Sequence, residues 1–329
     1  MPDLIKNTDL DLTKCIVIDA HLLKTYSACN EKFNLFELQH LVAKGSKAAP
    51  AFGIAMHEGV AIFRSSKKAG IQYSPALELG MKALLEAYKK YMPTESLAEV
   101  KTDDKRSPAN ALRIFEGYCQ HYESQALQFH HIEVPFAMHI GQICLPTARE
   151  VEEQRDVVYV GIIDAVVEMN SKIYVNDLKT TSWSINQNWL DGFQMDQGLI
   201  GYMLAARELL GVDTQNALVH GIWVQSPPKS KSGKPLDEYF RTKELYWDKD
   251  QINEWHSNTL AKIQEIETKK ANAGPWLKDF GQNCGAFGGC DYRPLCSATP
   301  NARQQLIDLN YIQARWTPLE DERLQKIEG

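Results

Sequence analysis

The sequence predicts an α/β fold: a mixed β-sheet flanked by helices, a helical lobe ahead of it and a cysteine-bearing segment behind it. Three observations predict this. Residues 157–169 and 172–180 are rich in Val, Ile and Tyr and flank Asn170-Ser171, so they read as a β-hairpin. Residues 74–90 and 108–129 carry apolar side chains at helical spacing. Across residues 132–225 strands and helices follow one another in the order αβββαβ, which suits a mixed sheet with helices packed on it.

Residues 15–18 predict a short strand, followed by a helix around Cys29. Residues 57–65 predict a helix. With 74–90 and 108–129 it makes the helical lobe. Residues 132–139 and 143–151 predict two strands ahead of the hairpin. Residues 190–210 predict a helix that stops at Gly211, a residue type suited to a left-handed C-cap. Strands at 217–225 and 239–247 and a helix at 251–272 complete the pattern.

The hairpin carries the chemistry. Gly161-Ile162-Ile163-Asp164 lies on its first strand, and Asp177-Leu178-Lys179-Thr180 follows thirteen residues after Asp164. Side chains alternate along a strand, so Asp177 and Lys179 share one face and Leu178 takes the other. Asp164 falls on the neighbouring strand beside Asp177. Two close carboxylates repel unless a cation lies between them or one is protonated. Mg2+ and Mn2+ take oxygen ligands of this kind. Such an ion polarises a phosphoryl oxygen, and Lys179 offsets the charge that develops during hydrolysis. A plain exposed hairpin is the simpler reading, but these charges sit among apolar neighbours.

The seven cysteines form the second signal. Cys284, Cys290 and Cys296 have five residues between neighbours and glycines among them. Zinc sites usually pair cysteines two to four residues apart, whereas this wider spacing with one distant cysteine suits an iron–sulfur cluster. Zinc and three reduced buried thiols are the alternatives. Cys15, Cys119 and Cys144 read as ordinary core thiols.

The net charge of −6 excludes a uniformly basic nucleic-acid binder but not a local basic groove. Lys67-Lys68, residues 101–106 and residues 229–234 are the basic stretches, and 229–234 follows Pro227-Pro228 as a loop able to track a DNA strand. The N-terminal residues lack a signal-peptide apolar run, and no apolar run reaches the ~20 residues of a membrane span, so a cytoplasmic chain with no membrane partner is expected. If the chain is phage-encoded, that compartment is the host cytoplasm.

These motifs, in this order, resemble the PD-(D/E)XK nuclease superfamily, in particular its RecB-like branch of AddB-like, CRISPR-associated and phage exonucleases. The resemblance covers roughly residues 15–300. It includes Cys29 in Tyr26-Ser27-Ala28-Cys29-Asn30-Glu31-Lys32-Phe33 and the glycine-to-histidine run Phe52-Gly53-Ile54-Ala55-Met56-His57-Glu58. It implies a restriction-endonuclease-like core. It also implies a metal shell of His57, Asp164, Asp177 and the Leu178 carbonyl, holding Mn2+ or Mg2+. Imidazole suits Mn2+ better. Glu133 and Glu152 lie on or near the strands; one of them is a candidate for a further acidic ligand, the plainer reading being an ordinary strand-edge glutamate.

The branch carries a Gln four residues before a Tyr in the helix after the lysine. Here Gln197 stands five residues before Tyr202, with Gly198 in the expected place and Gln194 one turn earlier. Five helical residues turn ~140°, so Gln197 and Tyr202 share a face only if the helix begins irregularly. One of the two glutamines is expected to contact DNA or orient Lys179. The resemblance also implies a [4Fe–4S] cluster on Cys29, Cys284, Cys290 and Cys296, closing the chain over the 255 residues from Cys29 to Cys284.

The expected organisation is one nuclease domain over 1–329, with a helical lobe about 58–130, a core about 131–273 and an iron–sulfur segment about 274–300 joined to Cys29. The expected activity is metal-dependent hydrolysis of DNA, as an exonuclease in recombination, repair or phage DNA processing. No Gly-x-x-x-x-Gly-Lys-Ser/Thr motif occurs, so unwinding would fall to a partner such as a helicase, beside a recombinase or single-strand annealing protein. Two other readings stay open: a catalytically silent DNA-binding or assembly subunit with a structural iron–sulfur or zinc site, and a metal-bearing protein whose acidic hairpin is incidental.

Overall fold

The structure is a computed structural model and describes residues 5–7, 9–44, 48–91, 105–145, 153–227, 235–285 and 289–314. Strands β1 (Ile5–Lys6) and β2 (Ile16–Ile18) precede helices α1 (Ala20–Ala28) and α2 (Asn30–Phe33), the latter extended by a π turn (Asn34–Leu38). Strand β3 (Leu41–Ala43) and helices α3 (Ala48–Lys68), α4 (Tyr73–Tyr91) and α5 (Pro108–Glu123) follow. Next come β4 (Gln128–Leu145), β5 (Glu153–Met169), β6 (Lys172–Thr181), α6 (Gln187–Asp191), α7 (Gln197–Leu210), β7 (Asn216–Trp223) and β8 (Phe240–Tyr246). Helices α8 (Lys249–Ala271), α9 (Arg293–Ser297) and α10 (Pro300–Asn310) and strand β9 (Tyr311–Gln313) end the described chain. A mixed sheet flanked by helices is the predicted class. No helix among the described residues is long and apolar enough to cross a membrane.

The chain divides into two compact units. The first is built from residues 46–134 and 162–249. In it the predicted hairpin forms, with β5 and β6 antiparallel from Ala165↔Asn176 to Met169↔Lys172. Asn170 and Ser171 turn the chain with φ of 51° and 60°, the doubly left-handed backbone that a two-residue type I′ connection requires. β6 pairs in parallel with β7, Asp177 opposite Val219 and Lys179 opposite Gly221, and β7 pairs antiparallel with β8. Helices α3, α4 and α5 bury Phe52, Met56, Phe63, Leu84, Tyr88 and Phe115 together with Leu178 and Ile222 of the sheet. Buried positions 52, 56, 59 and 63 on α3 recur at the spacing of one helix face.

Several predicted boundaries change for local reasons. The helix expected at 57–65 begins at Ala48. The helix expected at 108–129 stops at Glu123, and Leu127 and Phe129 instead pack on Ala165, Val167 and Tyr174. The strands expected at 132–139 and 143–151 are one strand, Gln128–Leu145. Gly141-Gln142 reads as a turn, but Gly141 stays in the strand at φ 135°, a backbone open to glycine. Residues 146–152, with Glu152, lie outside the described residues. The helix expected at 190–210 is broken: α6 ends at Asp191, a 3-10 turn spans Gly192–Met195, and Asp196 caps α7 by accepting from the Gly198 and Leu199 amides at 2.8 and 3.1 Å. Gly211 closes α7 at φ 65°, the left-handed cap its position predicts.

The second unit is built from residues 3–45, 135–161 and 250–329. There β1 pairs in parallel with β4 (Ile5↔Phe136) and β2 with β5 (Ile16↔Val157). α8 buries Ile252, Trp255, Ile263 and Ile266, and Trp255 meets Tyr159 edge to face at 5.5 Å. The paired strands β3 and β9 join a small core of Leu35, Leu41, Tyr292, Leu295 and Tyr311.

Candidate metal centre

The hairpin register sets Asp164 one step beyond the Ala165↔Asn176 pair, at the level of Asp177. His57 approaches from α3, its Nδ1 3.2 Å from Asp164 Oδ1. Asp164 Oδ2 accepts from the Leu178 amide at 2.8 Å. This pins the carboxylate to both its helix and its neighbouring strand. Leu178 turns its side chain into the helical core, as the alternation predicts.

Glu133 of β4 joins them. One ligand atom each from His57, Glu133 and Asp164 lie within 4.8 Å of one another, the group among the described residues able to hold a metal ion. An octahedral ion with bonds of 2.0–2.1 Å holds adjacent ligands at about 3 Å, so modest closure completes a shell. Two oxygen donors and an imidazole match Mg2+ or Mn2+, with the nitrogen favouring Mn2+. Glu133 takes φ 49° inside a strand, where a side chain resists that backbone. Such a local distortion aims a side chain that a regular strand would point elsewhere.

Asp177 is engaged differently. Its Oδ1 accepts from Lys179 Nζ at 2.8 Å, and the same ammonium lies 2.6 Å from Oδ2 without hydrogen-bond geometry. The Asp177 side chain is 4 % exposed, so this carboxylate depends on the lysine for neutralisation. The two carboxylates titrate apart. Burial alone would raise Asp164, but His57, Lys179 and the Leu178 amide bring it down to about 2. Burial and the charge of Asp164 push Asp177 up, against the pull of Lys179. Burial opposes the Lys179 charge, yet Asp177, Asp164 and Tyr202 together hold its proton more tightly than usual. His57 is also raised: burial opposes its charge, and Asp164 outweighs burial.

Of the two glutamines, Gln194 is engaged in structure. Its Nε2 donates to the Tyr246 carbonyl at 3.0 Å, and its own carbonyl accepts from Trp247 Nε1 at 2.9 Å. Gln197 is the first residue of α7, directly after the Asp196 cap, so the helix does begin at this residue. Of the basic stretches, Lys67 pairs with Glu123 at 2.9 Å and Lys68 donates to the His130 carbonyl. Residues 101–104 and 228–234 lie outside the described residues.

In the second unit the segments that carry the four cysteines meet. Cys29 breaks α1 from α2 with extended backbone. Asn283 donates to the carbonyl of Ala28 at 2.8 Å, bringing the turn of Cys284 to the residue before Cys29. The Cys290 amide donates to the Cys284 carbonyl at 3.0 Å. Burial pushes the Cys296 thiol up, and the charges of Cys29 and Cys290 add to it, while Lys278 pulls the other way. Tetrahedral zinc with Zn–S bonds of 2.3 Å holds its sulfurs about 3.8 Å apart. No three of these cysteines approach so closely, since His57, Glu133 and Asp164 alone form a metal-sized group among the described residues.

The family model of the PD-(D/E)XK nuclease superfamily matches residues 20–297. The chain belongs to that superfamily. Its mixed sheet and flanking helices are the restriction-endonuclease-like α/β fold, and superfamily membership implies a metal-dependent nuclease. No curated protein matches the chain. The solved structure titled "Crystal structure of SSO0001" aligns over 74% of this chain and 85% of its own, at 11% identity and a TM-score of 0.26.

Sequence reasoning named Glu133 only as one of two further acids. The signal for it was a glutamate on the strand ahead of the hairpin. Its backbone distortion has no counterpart in the sequence.

Proposed function

We propose that this superfamily member is a DNA nuclease of the RecB-like branch, acting as an exonuclease in recombination, repair or phage DNA processing. The observation that carries the reading is the convergence of His57, Glu133 and Asp164 beside the Asp177–Lys179 pair. His57, Glu133, Asp164 and Asp177, with the Leu178 carbonyl, hold Mn2+ or Mg2+. The bound ion supplies Lewis-acid polarisation of the phosphodiester. Asp177 keeps Lys179 charged and aimed. Lys179 then offsets negative charge growing on the phosphoryl oxygens, or orients the attacking water. Asp164, ionised far below neutral pH, needs no proton loss before it binds a cation. Gln197 contacts DNA or orients Lys179, a choice over Gln194 that the engagement of Gln194 with Tyr246 supports, and Tyr202 adds to the field that keeps Lys179 charged.

The second unit carries a [4Fe–4S] cluster on Cys29, Cys284, Cys290 and Cys296. The meeting of the Cys284 turn with the residue before Cys29 and the bond of the Cys290 amide to the Cys284 carbonyl support this, as does a spacing wider than zinc sites usually show. The centre belongs to a cytoplasmic enzyme that relies on a helicase, recombinase or annealing protein for unwound DNA.

The test is cleavage of linear and circular DNA, single- and double-stranded, with Mn2+, Mg2+ or EDTA, beside Lys179→Ala. Metal-dependent cleavage that Lys179→Ala abolishes supports the nuclease, and activity on linear DNA alone makes it an exonuclease. No cleavage by cluster-loaded protein on any substrate moves the reading to a silent binding subunit.

A further inference from the structure

Arg64 is a buried cation that no carboxylate pairs directly among the described residues. It is 3 % exposed. Its partners among the described residues are neutral: Nη2 donates to Tyr118 Oη at 2.7 Å and to Asn176 Oδ1 at 2.6 Å, and the Phe129 ring centre lies 5.4 Å from its guanidinium carbon. A buried charge is costly unless a counter-charge meets it. Arg64 lines a cavity of about 490 Å3 within the first unit, in the size range of small-ligand sites. Lys67 and Lys68 line it too, and Glu123, paired with Lys67, cancels one charge of the three. Rings of Tyr118, Tyr122 and Phe129 supply its apolar wall.

We propose that this cavity is a second, non-catalytic site that binds a nucleoside phosphate, its phosphomonoester on Arg64 and its base against the aromatic wall. A guanidinium matches phosphate geometry, and the two net positive charges match a dianion. A small carboxylate makes no use of the half-buried Phe129 ring on the apolar wall, and an uncharged aromatic leaves Arg64 uncompensated. A nucleoside phosphate meets both needs. The choice of a nucleotide over another aromatic phosphate rests on the nuclease reading. Arg64 follows His57 by seven residues on α3, two turns and roughly 10 Å along the axis, so the cavity is separate from the metal centre. Its occupant is a free mononucleotide or the terminal nucleotide of a 5′-phosphorylated strand.

The test is calorimetric titration of the intact protein in EDTA, which silences any metal-held phosphate and reads binding without cleavage. Deoxyadenosine 5′-monophosphate, deoxyadenosine, and a short oligonucleotide with and without a 5′-phosphate are the probes. Saturable one-to-one binding is expected for a phosphorylated probe and not for its unphosphorylated counterpart. Arg64→Lys should weaken it about 10-fold and Lys68→Ala about 3-fold, because ammonium lacks the guanidinium fork and Lys68 adds charge at the edge. Binding of the mononucleotide assigns the free product, and phosphate-dependent binding of the oligonucleotide alone assigns a strand end. Lys68 is exposed, so Lys68→Ala carries the test if Arg64→Lys fails to fold. The proposal falls if folded wild-type protein binds no phosphorylated probe, if deoxyadenosine binds equally well, or if binding is unchanged in the folded variants. A protein that binds the mononucleotide in EDTA yet cleaves nothing would keep this site and lose the nuclease.

Discussion

At the scale of single residues, Lys179 is the group on which the proposed chemistry turns. Its side chain is 35 % exposed, so Lys179→Ala opens little core, but it strips Asp177 of its counter-charge. Loss of one preorganised charge at a phosphoryl centre costs about 10²–10³ in rate. Cleavage is expected to fall by at least that factor while DNA binding, read by filter retention, stays within about threefold. Glu133→Gln is expected to weaken Mn2+ binding by more than tenfold, measured by titration calorimetry. An unchanged affinity would remove Glu133 from the shell. His220 offers a pH test away from this centre. Tyr118 bonds to its Nδ1 at 3.0 Å and Tyr122 stacks on it at 3.9 Å. Burial, then the charge of Arg64, holds its pKa well below the usual range. The unfolded chain takes up that proton near ~6.5, and the folded protein does not. The stability from a neutral His220 is therefore complete above about pH 6.5 and is lost below it, at about 1.4 kcal/mol per pH unit. Urea midpoints at pH 7.5 and 5.5 should fall further for wild type than for His220→Gln. Parallel declines would show that His220 is not the titrating group.

At the scale of elements, α3 and α4 pack closely through glycine. A Cβ at Gly59 would sit 2.9 Å from Leu84 Cβ and 3.1 Å from the Gly80 carbonyl, both parts that cannot swing aside. Gly59→Ala is therefore expected to cost about 1–3 kcal/mol, read as a lower denaturant midpoint. Ser171→Gly should act the other way. Ser171 holds φ 60° in the hairpin turn, and glycine there relieves a left-handed strain of about 1 kcal/mol, less its own unfolded-state entropy. The hairpin was legible because Asn170-Ser171 separates two alternating runs, and its register put Asp164 beside Asp177 without further information. The breaks in other elements were not legible, because they depend on tertiary partners. Leu127 and Phe129 continue a helical pattern in the sequence but pack on β5 and β6, Phe129 from within strand β4 and Leu127 just ahead of it. Gly141 looks like a turn yet stays in its strand. Asp196 could have been read as a helix cap, since an aspartate before Gln-Gly is a start signal, but the apolar residues on both sides hid it. For the site, acids and histidine at motif spacing were legible. Arg64 was not, because a lone arginine on an amphipathic helix looks like a solvated charge until Tyr118 and Asn176 are seen to enclose it.

At the scale of the whole molecule, the second unit is assembled from three distant stretches, 3–45, 135–161 and 250–329. Beyond α8 the described part of its C-terminal stretch is held by a small core of Tyr292, Leu295 and Tyr311, while α10 buries none of its residues, and Leu277 and Phe280 are 64 % and 86 % exposed. Polar ties such as Asn283 to Ala28 and Lys278 to the Cys296 carbonyl at 2.8 Å contribute only about 0.5–1.5 kcal/mol each. A cross-link between residues about 250 apart removes roughly 5 kcal/mol of unfolded-state entropy on the loop-closure relation. If a metal centre joins Cys29 to Cys284, Cys290 and Cys296, it is the largest single contribution to holding that stretch in place. Protein purified without oxygen should then absorb near ~400 nm and carry iron and sulfide. Cys296→Ser should abolish that absorbance and make residues beyond 250 the first to be cut by trypsin, with fragment masses locating the cuts. A colourless wild-type protein with one zinc per chain and the same protease resistance would instead make the cysteines a zinc site that closes up around its ion.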